Sequence, residues 1–244
     1  MKIFLSGEGP TDLGCCNSAA TICEDGDFTV GPMTVLVDNV IEQQYKYSPL
    51  DADKAAYRFI SKARLGQLAK ENRRGMALPG KKHGIDTGYF YVNAWMLGKV
   101  AKEYSEATTE ACIAVLFRDT DGTNSSPNNL WQVKWNSMIA GFARARYEYG
   151  VPMLPKPKSE AWILCAAQPA PYQNCSILED LSGNDDAPDS AKGRLHQAMN
   201  GRTSAADVSN WLREQGFDHV AAAGQMFSYG QFHSRLLEVL KTFK

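Results

Sequence analysis

The segment that most constrains the fold is Ala111–Phe117, which has the sequence ACIAVLF. Every residue in it is apolar, so it offers no polar face to solvent. This pattern is typical of a central strand in a parallel sheet, because helices cover both faces of such a sheet. The run ends in RDTDG at residues 118–122, a polar turn that fits the exit of a strand. We therefore predict a buried parallel strand at this position.

Further strands and helices are predicted from apolar periodicity. Strands are expected at Met1–Leu5, Met33–Ile41 and Val151–Leu154, and helices at Asp51–Glu71, Tyr89–Tyr104, Ser126–Tyr149 and Ser159–Ala167. Because strands alternate with helices, the predicted fold class is α/β with a mainly parallel sheet. We expect a single domain over residues 1–244, with a helical insertion at about residues 42–105 and a helical C-terminal cap at about residues 187–244.

Composition places the chain among ordinary globular proteins. It has 244 residues, of which 44% are hydrophobic, and a formal net charge of -1. No apolar run approaches the roughly 18–20 residues of a membrane helix. The start turns polar after a few residues, so we also expect no signal peptide. The six cysteines include no CxxC pair, so we expect reduced thiols and a cytoplasmic location rather than disulfides or structural zinc.

Charge is strongly segregated along the chain although the total is near zero. Residues 61–103 carry 9 basic and 3 acidic groups, whereas residues 159–190 carry 6 acidic and no basic groups. Alternating blocks of this kind are consistent with a basic binding surface beside an acidic metal site. They are also consistent with solvated helix faces that scatter in space, and the sequence leaves both interpretations open.

Acidic residues follow two of the predicted strands at the point where each strand ends. Glu8 comes shortly after Met1–Leu5, and Asp119 and Asp121 come directly after Ala111–Phe117. Ligands of parallel sheets bind outside the carboxyl ends of the strands, and carboxylates at alternate positions of an extended segment point to the same side. Carboxylate oxygens suit Mg²⁺ or Mn²⁺, so we predict a metal site here. The alternative is an ordinary Asp/Gly turn.

The sequence GEGPTD at residues 7–12 follows one predicted apolar strand, and DTDG at residues 119–122 follows another. These two motifs resemble the TOPRIM domain, which is shared by topoisomerases, bacterial primases and the overcoming-lysogenisation-defect nucleases. The run from VP at residues 151–152 to KSEAWIL at residues 158–164 is similar to small standalone TOPRIM-like proteins of bacterial defence islands. The chain departs from a minimal TOPRIM domain in the spacing of about 110 residues between Glu8 and Asp119.

The resemblance implies a TOPRIM-like (Rossmann-like) sheet and a role for each matching acid. Glu8 would be a metal ligand or a general acid/base, and Asp119 and Asp121 would hold the metal. Glu160 is the candidate fourth acid at a helix start, where its charge would equally favour the helix N-terminus without any catalytic role. Asp12, four residues past Glu8, is predicted to cap a following helix rather than to support the metal site.

Basic residues near these acids are candidates for phosphate contacts. Lys156 and Lys158 lie in a proline-stiffened loop just before Glu160 and would clamp a phosphate as point charges, with Lys158 the candidate catalytic residue, unless both are merely solvated. A Gly-rich basic loop is predicted to contact a nucleic-acid backbone through Arg73, Arg74, Lys81, Lys82 and His83. The aromatic residues after this loop fit either base stacking or the core of the next helix; they are Tyr89, Phe90 and Tyr91.

These inferences lead to one main functional hypothesis and two alternatives. We expect a Mg²⁺- or Mn²⁺-dependent TOPRIM-like nuclease that hydrolyses phosphodiesters of DNA or RNA. The resemblance further implies an effector of a bacterial anti-phage defence system that works with an ATPase partner of the ABC or SMC-like type, since the chain has no Walker motif of its own. The alternatives are a non-catalytic TOPRIM-like subunit that docks on the ATPase or senses a phage product, and a different phosphoryl-transfer enzyme acting on nucleotides or small phosphoesters.

Overall fold

The computed structural model describes residues 1–72, 88–120 and 130–243, and these residues form an α/β fold on a mostly parallel sheet. The strands of the sheet are β1 (Lys2–Ser6), β3 (Ile22–Glu24), β5 (Tyr57–Ile60), β6 (Cys112–Phe117) and β7 (Gly150–Met153). Their order is β3-β5-β1-β6-β7, and only the edge strand β3 runs antiparallel to its neighbour. Strands β2 (Gly14–Cys16) and β4 (Phe28–Val30) form a separate antiparallel ribbon.

Helices surround the sheet and make up most of the second half of the chain. The α-helices in the described ranges are α1 (Pro32–Tyr45), α2 (Pro49–Ala52), α3 (Lys62–Glu71), α4 (Gly88–Thr108), α5 (Leu130–Arg144), α6 (Ser159–Ala167), α7 (Ala191–Ala198), α8 (Ala205–Gln215), α9 (His219–Gln225) and α10 (Phe227–Lys241). Short 3-10 turns lie at Asp25–Asp27, Lys54–Ala56 and Cys175–Asp180.

Alternating side chains of β6 build two hydrophobic layers, one on each face of the sheet. Val115 and Phe117 belong to the layer that contains α1, α6 and α10, whereas Ala114 and Leu116 belong to the layer that contains α4 and α5. All four side chains are completely buried. The apolar character of the whole strand therefore follows from its central position, since both of its faces are covered.

Several sequence predictions are confirmed. The predicted strands at Met1–Leu5, Ala111–Phe117 and Val151–Leu154 correspond to β1, β6 and β7, and the predicted helices at Tyr89–Tyr104 and Ser159–Ala167 correspond to α4 and α6. The predicted α/β class with a mainly parallel sheet is confirmed as well. The helix predicted to run from Ser126 to Tyr149 ends at Arg144, and its predicted start lies outside the described residues.

The prediction of a strand at Met33–Ile41 is wrong, because this segment lies inside helix α1. Its β-branched residues favour a strand, yet most of the helix surface is buried between the sheet and other helices, so apolar residues occupy six of the nine positions. A continuous apolar run of this length does not distinguish a strand from a buried helix. The informative signal was Pro32 after Gly31, since proline is favoured in the first turn of a helix.

The prediction of one helix over Asp51–Glu71 is also wrong. Helix α2 ends at Ala52, and strand β5 then joins the central sheet between β3 and β1 before α3 begins at Lys62. Residues 42–105 are therefore not a purely helical insertion, because they supply one strand of the sheet. The helical spacing of apolar residues in this segment arose by chance from Phe59 in the strand and Leu65 and Leu68 in the helix.

The expectation that all cysteines are reduced thiols is wrong for four of them. Cys16 pairs with Cys23, and Cys165 pairs with Cys175, with Cα separations of 5.6 and 5.3 Å. The fold rather than a recognisable sequence spacing brings each pair together: Cys16 ends β2 and Cys23 lies in β3. Cys15 and Cys112 are free.

A buried carboxylate fixes the connection between α1, α2 and β5. Asp38 on α1 is only 4% exposed. Its Oδ1 accepts hydrogen bonds from the Tyr57 hydroxyl at 2.7 Å and the Leu50 backbone N–H at 3.0 Å. Its Oδ2 accepts one from the Ser48 hydroxyl at 2.6 Å. A buried charge is tolerated because every donor around it is satisfied.

We expect Asp38→Ala to lower the free energy of unfolding by about 2–4 kcal/mol, because it leaves the buried hydroxyl of Tyr57 and other donors without an acceptor. Glu42→Ala on the exposed face of the same helix is the control and should change stability by about 0.5 kcal/mol or less. Chemical denaturation measures both variants. Equal losses for the two would contradict the structural role of Asp38.

Candidate functional site

The order of the parallel strands defines one favourable position for a ligand. Counted along the chain, the parallel strands β1, β5, β6 and β7 occur in the sheet in the order 2-1-3-4. The strand order therefore reverses between β1 and β6, and open α/β sheets bind ligands outside the carboxyl ends of the strands at such a point. Glu8 and Asp119 each lie two residues beyond these strands. Because β1 and β6 pair directly, both residues follow neighbouring strands of the sheet.

Glu8 is partly buried between two cations. Its side chain is 28% exposed, and its Oε1 lies 3.7 Å from Nε of Arg118 and 3.8 Å from Nζ of Lys62. Lys62 begins α3 directly after β5, so it reaches the same edge of the sheet from the other neighbour of β1. A cleft of about 510 Å³ opens beside Glu8, and its lining includes Pro10, Cys15, Phe59, Ser61 and Lys62.

Arg118 is a residue of the candidate site that the sequence did not reveal. It is completely buried, and its Nη1 donates to the backbone carbonyls of Ser6 at 3.2 Å and Phe117 at 2.5 Å. Within the described ranges, its Nε and Nη2 make no hydrogen bond. Burial lowers the pKa of Arg118 below its ordinary value, but a guanidinium remains charged even so. The site therefore contains a buried positive charge with unused donors, which attracts an anion.

Asp119 and Thr120 lock the end of β6 onto the loop before α6. Oδ1 of Asp119 accepts a hydrogen bond from the backbone N–H of Ser159 at 3.2 Å. The Thr120 hydroxyl lies 2.9 Å from the carbonyl of Pro155 and 3.0 Å from that of Pro157. These contacts bring the start of α6, and with it Ser159 and Glu160, next to the carboxylate that follows β6.

Asp12 belongs to this cluster, so the prediction that it caps a following helix is wrong. The next element after it is the strand β2, and its Oδ1 accepts a hydrogen bond from the Ser159 hydroxyl at 2.6 Å. Burial raises the pKa of Asp12 to about 6; the Ser159 hydrogen bond opposes this shift, whereas the charges of Glu160 and Glu8 add to it. A buried acid that titrates near neutrality beside other acids is typical of a functional site.

Glu160 lies in the first turn of α6, as predicted. Its Oε2 is 3.4 Å from the Ser159 hydroxyl, and it also lines a small cavity of about 70 Å³ with Asp12, Ser159, Lys192 and Thr203. This position suits both interpretations of the residue, since a carboxylate there favours the helix N-terminus and also faces the acidic cluster. Ser159 is the first residue of the helix rather than its N-cap, which is Lys158.

The two lysines before α6 are paired with acids of the following loop. Nζ of Lys156 lies 3.1 Å from Oδ1 of Asp180, and Nζ of Lys158 lies 2.9 Å from Oδ1 of Asp185. Lys192 also binds Asp185, and hydrogen bonds from Lys158 and Lys192 hold the pKa of that carboxyl below its usual range. Their role as phosphate clamps stays a prediction, although their loop lies at the correct edge of the sheet.

The aromatic residues at the start of α4 divide between the core and the site. Phe90 is 8% exposed and belongs to the core, as one of the two interpretations predicted. Tyr89 lies at the site, with its ring centroid 4.6 Å from Nζ of Lys62 and 5.2 Å from Cζ of Arg118. Its ring thereby packs against the same two cations that flank Glu8.

Several predicted site residues lie outside the described residues, namely Asp121, Arg73, Arg74, Lys81, Lys82 and His83. Within the described ranges, Glu8, Asp12, Asp119 and Glu160 do not form a group of three ligand atoms at metal-binding distance, whereas Cys16, Cys23 and Asp27 do. The predicted Mg²⁺ or Mn²⁺ site therefore stays a prediction that depends on Asp121 as well.

Comparison with known proteins adds no family. No family model, curated protein or solved structure matches the chain. Among residues 1–72, 88–120 and 130–243, no helix combines the length and apolar character needed to cross a membrane.

We expect stability to fall as the pH rises from about 4 to about 6, because the folded protein holds the proton of Asp12 more tightly than the unfolded chain does. The raised pKa corresponds to at most about 3 kcal/mol, lost as Asp12 ionises. Asp12→Asn should therefore become more stable relative to wild type as the pH increases through this window.

Denaturation curves at several pH values measure this difference. The exposed Asp186→Asn is the matched control and should track wild type at every pH. A stability difference between Asp12→Asn and wild type that does not depend on pH would contradict the raised pKa.

Proposed function

We propose that this protein is a Mg²⁺- or Mn²⁺-dependent nuclease of TOPRIM-like type that hydrolyses phosphodiester bonds of DNA or RNA. The observation that carries the proposal is that Glu8 and Asp119 follow the adjacent strands β1 and β6 at the strand-order reversal, beside the buried guanidinium of Arg118. Carboxylates at this point suit a hard cation, and a buried cation with unused donors suits a phosphate. Acidic and basic groups together are what a metal-assisted reaction on a phosphodiester requires.

The proposed donors are carboxylate oxygens, the ligand type that Mg²⁺ and Mn²⁺ prefer. Glu8 and Asp119 offer carboxylate oxygens from adjacent strand ends, and Asp121 is the third ligand in the proposal. A bound Mg²⁺ or Mn²⁺ would supply polarisation of the phosphate and a lower pKa for the attacking water.

The side chains around this pair would bind the substrate and control its protons. Arg118 is placed to balance negative charge, because its guanidinium is buried and its Nε lies 3.7 Å from Oε1 of Glu8. Asp12 holds the Ser159 hydroxyl and has a pKa of about 6, so its carboxyl can release or take up a proton near neutral pH. Lys156 and Lys158, at the same edge, would exchange their present carboxylate partners for phosphate oxygens.

The wider setting in the proposal is a cytoplasmic effector of anti-phage defence that works with an ATPase partner of the ABC or SMC-like type. Its support is the resemblance of the GEGPTD, DTDG and KSEAWIL segments to standalone TOPRIM-like proteins, together with an α/β sheet of the expected Rossmann-like kind. The basic residues 73–83 are the proposed contact with the nucleic-acid backbone.

The alternative is a non-catalytic TOPRIM-like subunit that docks on the ATPase or senses a phage product. The ion pairs at the site favour this alternative, because Glu8 already contacts Arg118 and Lys62, and Lys156 and Lys158 are already paired with acids. A binding subunit needs only these closed contacts, whereas a nuclease must open some of them for metal and substrate.

We expect purified protein to cleave plasmid DNA, single-stranded DNA or tRNA in Mg²⁺ or Mn²⁺ and to be inactive in EDTA. Glu8→Gln and Asp119→Asn should each lower the cleavage rate at least about 100-fold, because each removes one negative ligand from the metal. A quantitative gel assay, run with and without a co-expressed ATPase, measures these rates.

Two exposed acids provide matched controls for this assay. Glu106→Gln and Asp186→Asn change the same functional groups on the surface, and they should cleave like wild type. Full activity in Asp119→Asn would overturn the metal-site assignment. Equal inactivity of all five proteins, with the ATPase present, would favour the binding-subunit alternative, and turnover of small phosphoesters alone would favour a different phosphoryl-transfer enzyme.

A further inference from the structure

A second group of side chains with metal-ligand chemistry, which shares no residue with the candidate active site, lies where β2, β3 and the turn before β4 come together. One ligand atom each from Cys16, Cys23 and Asp27 lies within 4.8 Å of the other two. Among the described residues, no other group of three His, Cys, Asp or Glu side chains has its ligand atoms this close together. Ligand atoms around a tetrahedral zinc ion lie roughly 3.3–3.8 Å apart, so the three atoms are close to that spacing once the bond between the two sulfur atoms is broken.

The backbone around the three side chains is fixed by hydrogen bonds. Cys16 pairs with Phe28 in the β2–β4 ribbon, and the backbone N–H of Asn17 donates to the carbonyl of Asp27 at 2.8 Å. The Asn17 side-chain amide donates to the carbonyl of Gly26 at 3.1 Å. These contacts hold the end of β2 against the turn that carries Asp27, independently of any bond between the sulfur atoms.

The carboxylate of Asp27 is also oriented by a neighbour. Oδ1 accepts the backbone N–H of Ser18 at 3.0 Å, and Oδ2 accepts the Ser18 hydroxyl at 2.7 Å. Each oxygen keeps a lone pair for a further contact, because a carboxylate accepts about four. Hydrogen bonds of this kind to a ligating carboxylate are the outer contacts that orient metal ligands.

The second disulfide lacks these features. Cys165 and Cys175 are completely buried, and the contacts of Cys175 are with the carbonyls of Cys165 and Gln173 and the side chain of Gln168. No carboxylate joins this pair at metal-binding distance among the described residues. The chain therefore contains one cysteine pair with an oriented carboxylate beside it and one without, which provides an internal control.

We propose that Cys16, Cys23 and Asp27 form a zinc site when the two cysteines are reduced. Two thiolates favour zinc over Mg²⁺ or Mn²⁺, which prefer oxygen ligands alone. Three protein ligands leave the fourth tetrahedral position to water or to an external donor. This site uses none of the carboxylates of the candidate active site and does not depend on the proposed nuclease activity.

The disulfide and the zinc site exclude each other, because the same two sulfur atoms form both. A dithiol or phosphine reductant supplies two electrons, and with two protons the disulfide becomes two thiols while the reductant is oxidised. Zn²⁺ then displaces the two thiol protons and binds the thiolates. Thiols of cytoplasmic proteins are kept reduced, so the zinc form is the one expected there.

The test uses the full-length protein, reduced with a phosphine under anaerobic conditions or left oxidised. Zn²⁺ affinity is measured by competition with a chromophoric chelator, and Co²⁺ is titrated as an optical probe of thiolate ligation. Reduced wild type should bind one zinc per chain and show the thiolate-to-cobalt charge-transfer band, whereas oxidised wild type should show neither. Absence of the band in the reduced protein would overturn the proposal.

Variants distinguish a zinc site with defined ligands from two thiols that bind metal without such a site. Cys16→Ser should weaken zinc binding at least about 100-fold, Asp27→Asn about 10-fold or more, and Ser18→Ala about 10-fold. Cys165→Ser should bind zinc like wild type. Equal affinity of Asp27→Asn and wild type, or equal losses in Cys16→Ser and Cys165→Ser, would overturn the proposal. If a cysteine variant fails to fold, the cobalt spectrum of the wild type and the zinc affinity of Asp27→Asn still test the proposal.

Discussion

The parallel pairing of β1 with β6 is the constraint on which the rest of the structure depends. The two strands are aligned from Lys2 opposite Cys112 to Ser6 opposite Leu116, and nearly every side chain on them is buried. Because β5 lies on the other side of β1 and β7 on the other side of β6, the strand order reverses between them. The residues that follow these two strands are thereby brought to one edge of the sheet, where Arg118 contacts Glu8 and Asp119 contacts Ser159.

Several charged groups at this edge of the sheet lower the free energy of unfolding of the protein. Asp12 is buried enough to raise its pKa to about 6, and Arg118 is completely buried with two guanidinium nitrogens that make no hydrogen bond within the described ranges. A chain selected only for stability would place apolar residues at such positions. Local departures of this kind concentrate at functional sites. Their common location is the physical reason to regard this edge as the place where the protein acts.

The sequence predicted the central strands well and their surroundings less well. Short apolar runs that end in polar turns identified β1, β6 and β7. The acids that follow β1 and β6 could then be recognised as candidate site residues. The same reasoning failed for Met33–Ile41, because a helix buried on nearly all sides has no polar face to reveal its period. It also failed for β5, whose short Tyr57–Ile60 segment was hidden between helical residues.

The sequence also predicted only part of the candidate site, because some of its residues are recognisable only in the folded structure. Glu8 and Asp119 could be found because both follow strands, but Asp12 depends on Ser159 and Arg118 depends on burial, and neither is visible in sequence. The one sequence feature that pointed to Arg118 was its position directly after an apolar strand. The disulfides were missed because the fold, not the spacing, brings Cys16 to Cys23 and Cys165 to Cys175.

The most direct test of the central claim is anomalous diffraction from crystals of the full-length protein soaked in Mn²⁺. We expect one strong manganese peak at the carboxyl edge of the sheet, within coordination distance of the carboxylates of Glu8 and Asp119. A structure that binds manganese elsewhere, or not at all while this edge is free of crystal contacts, would contradict a metal-dependent active site between β1 and β6.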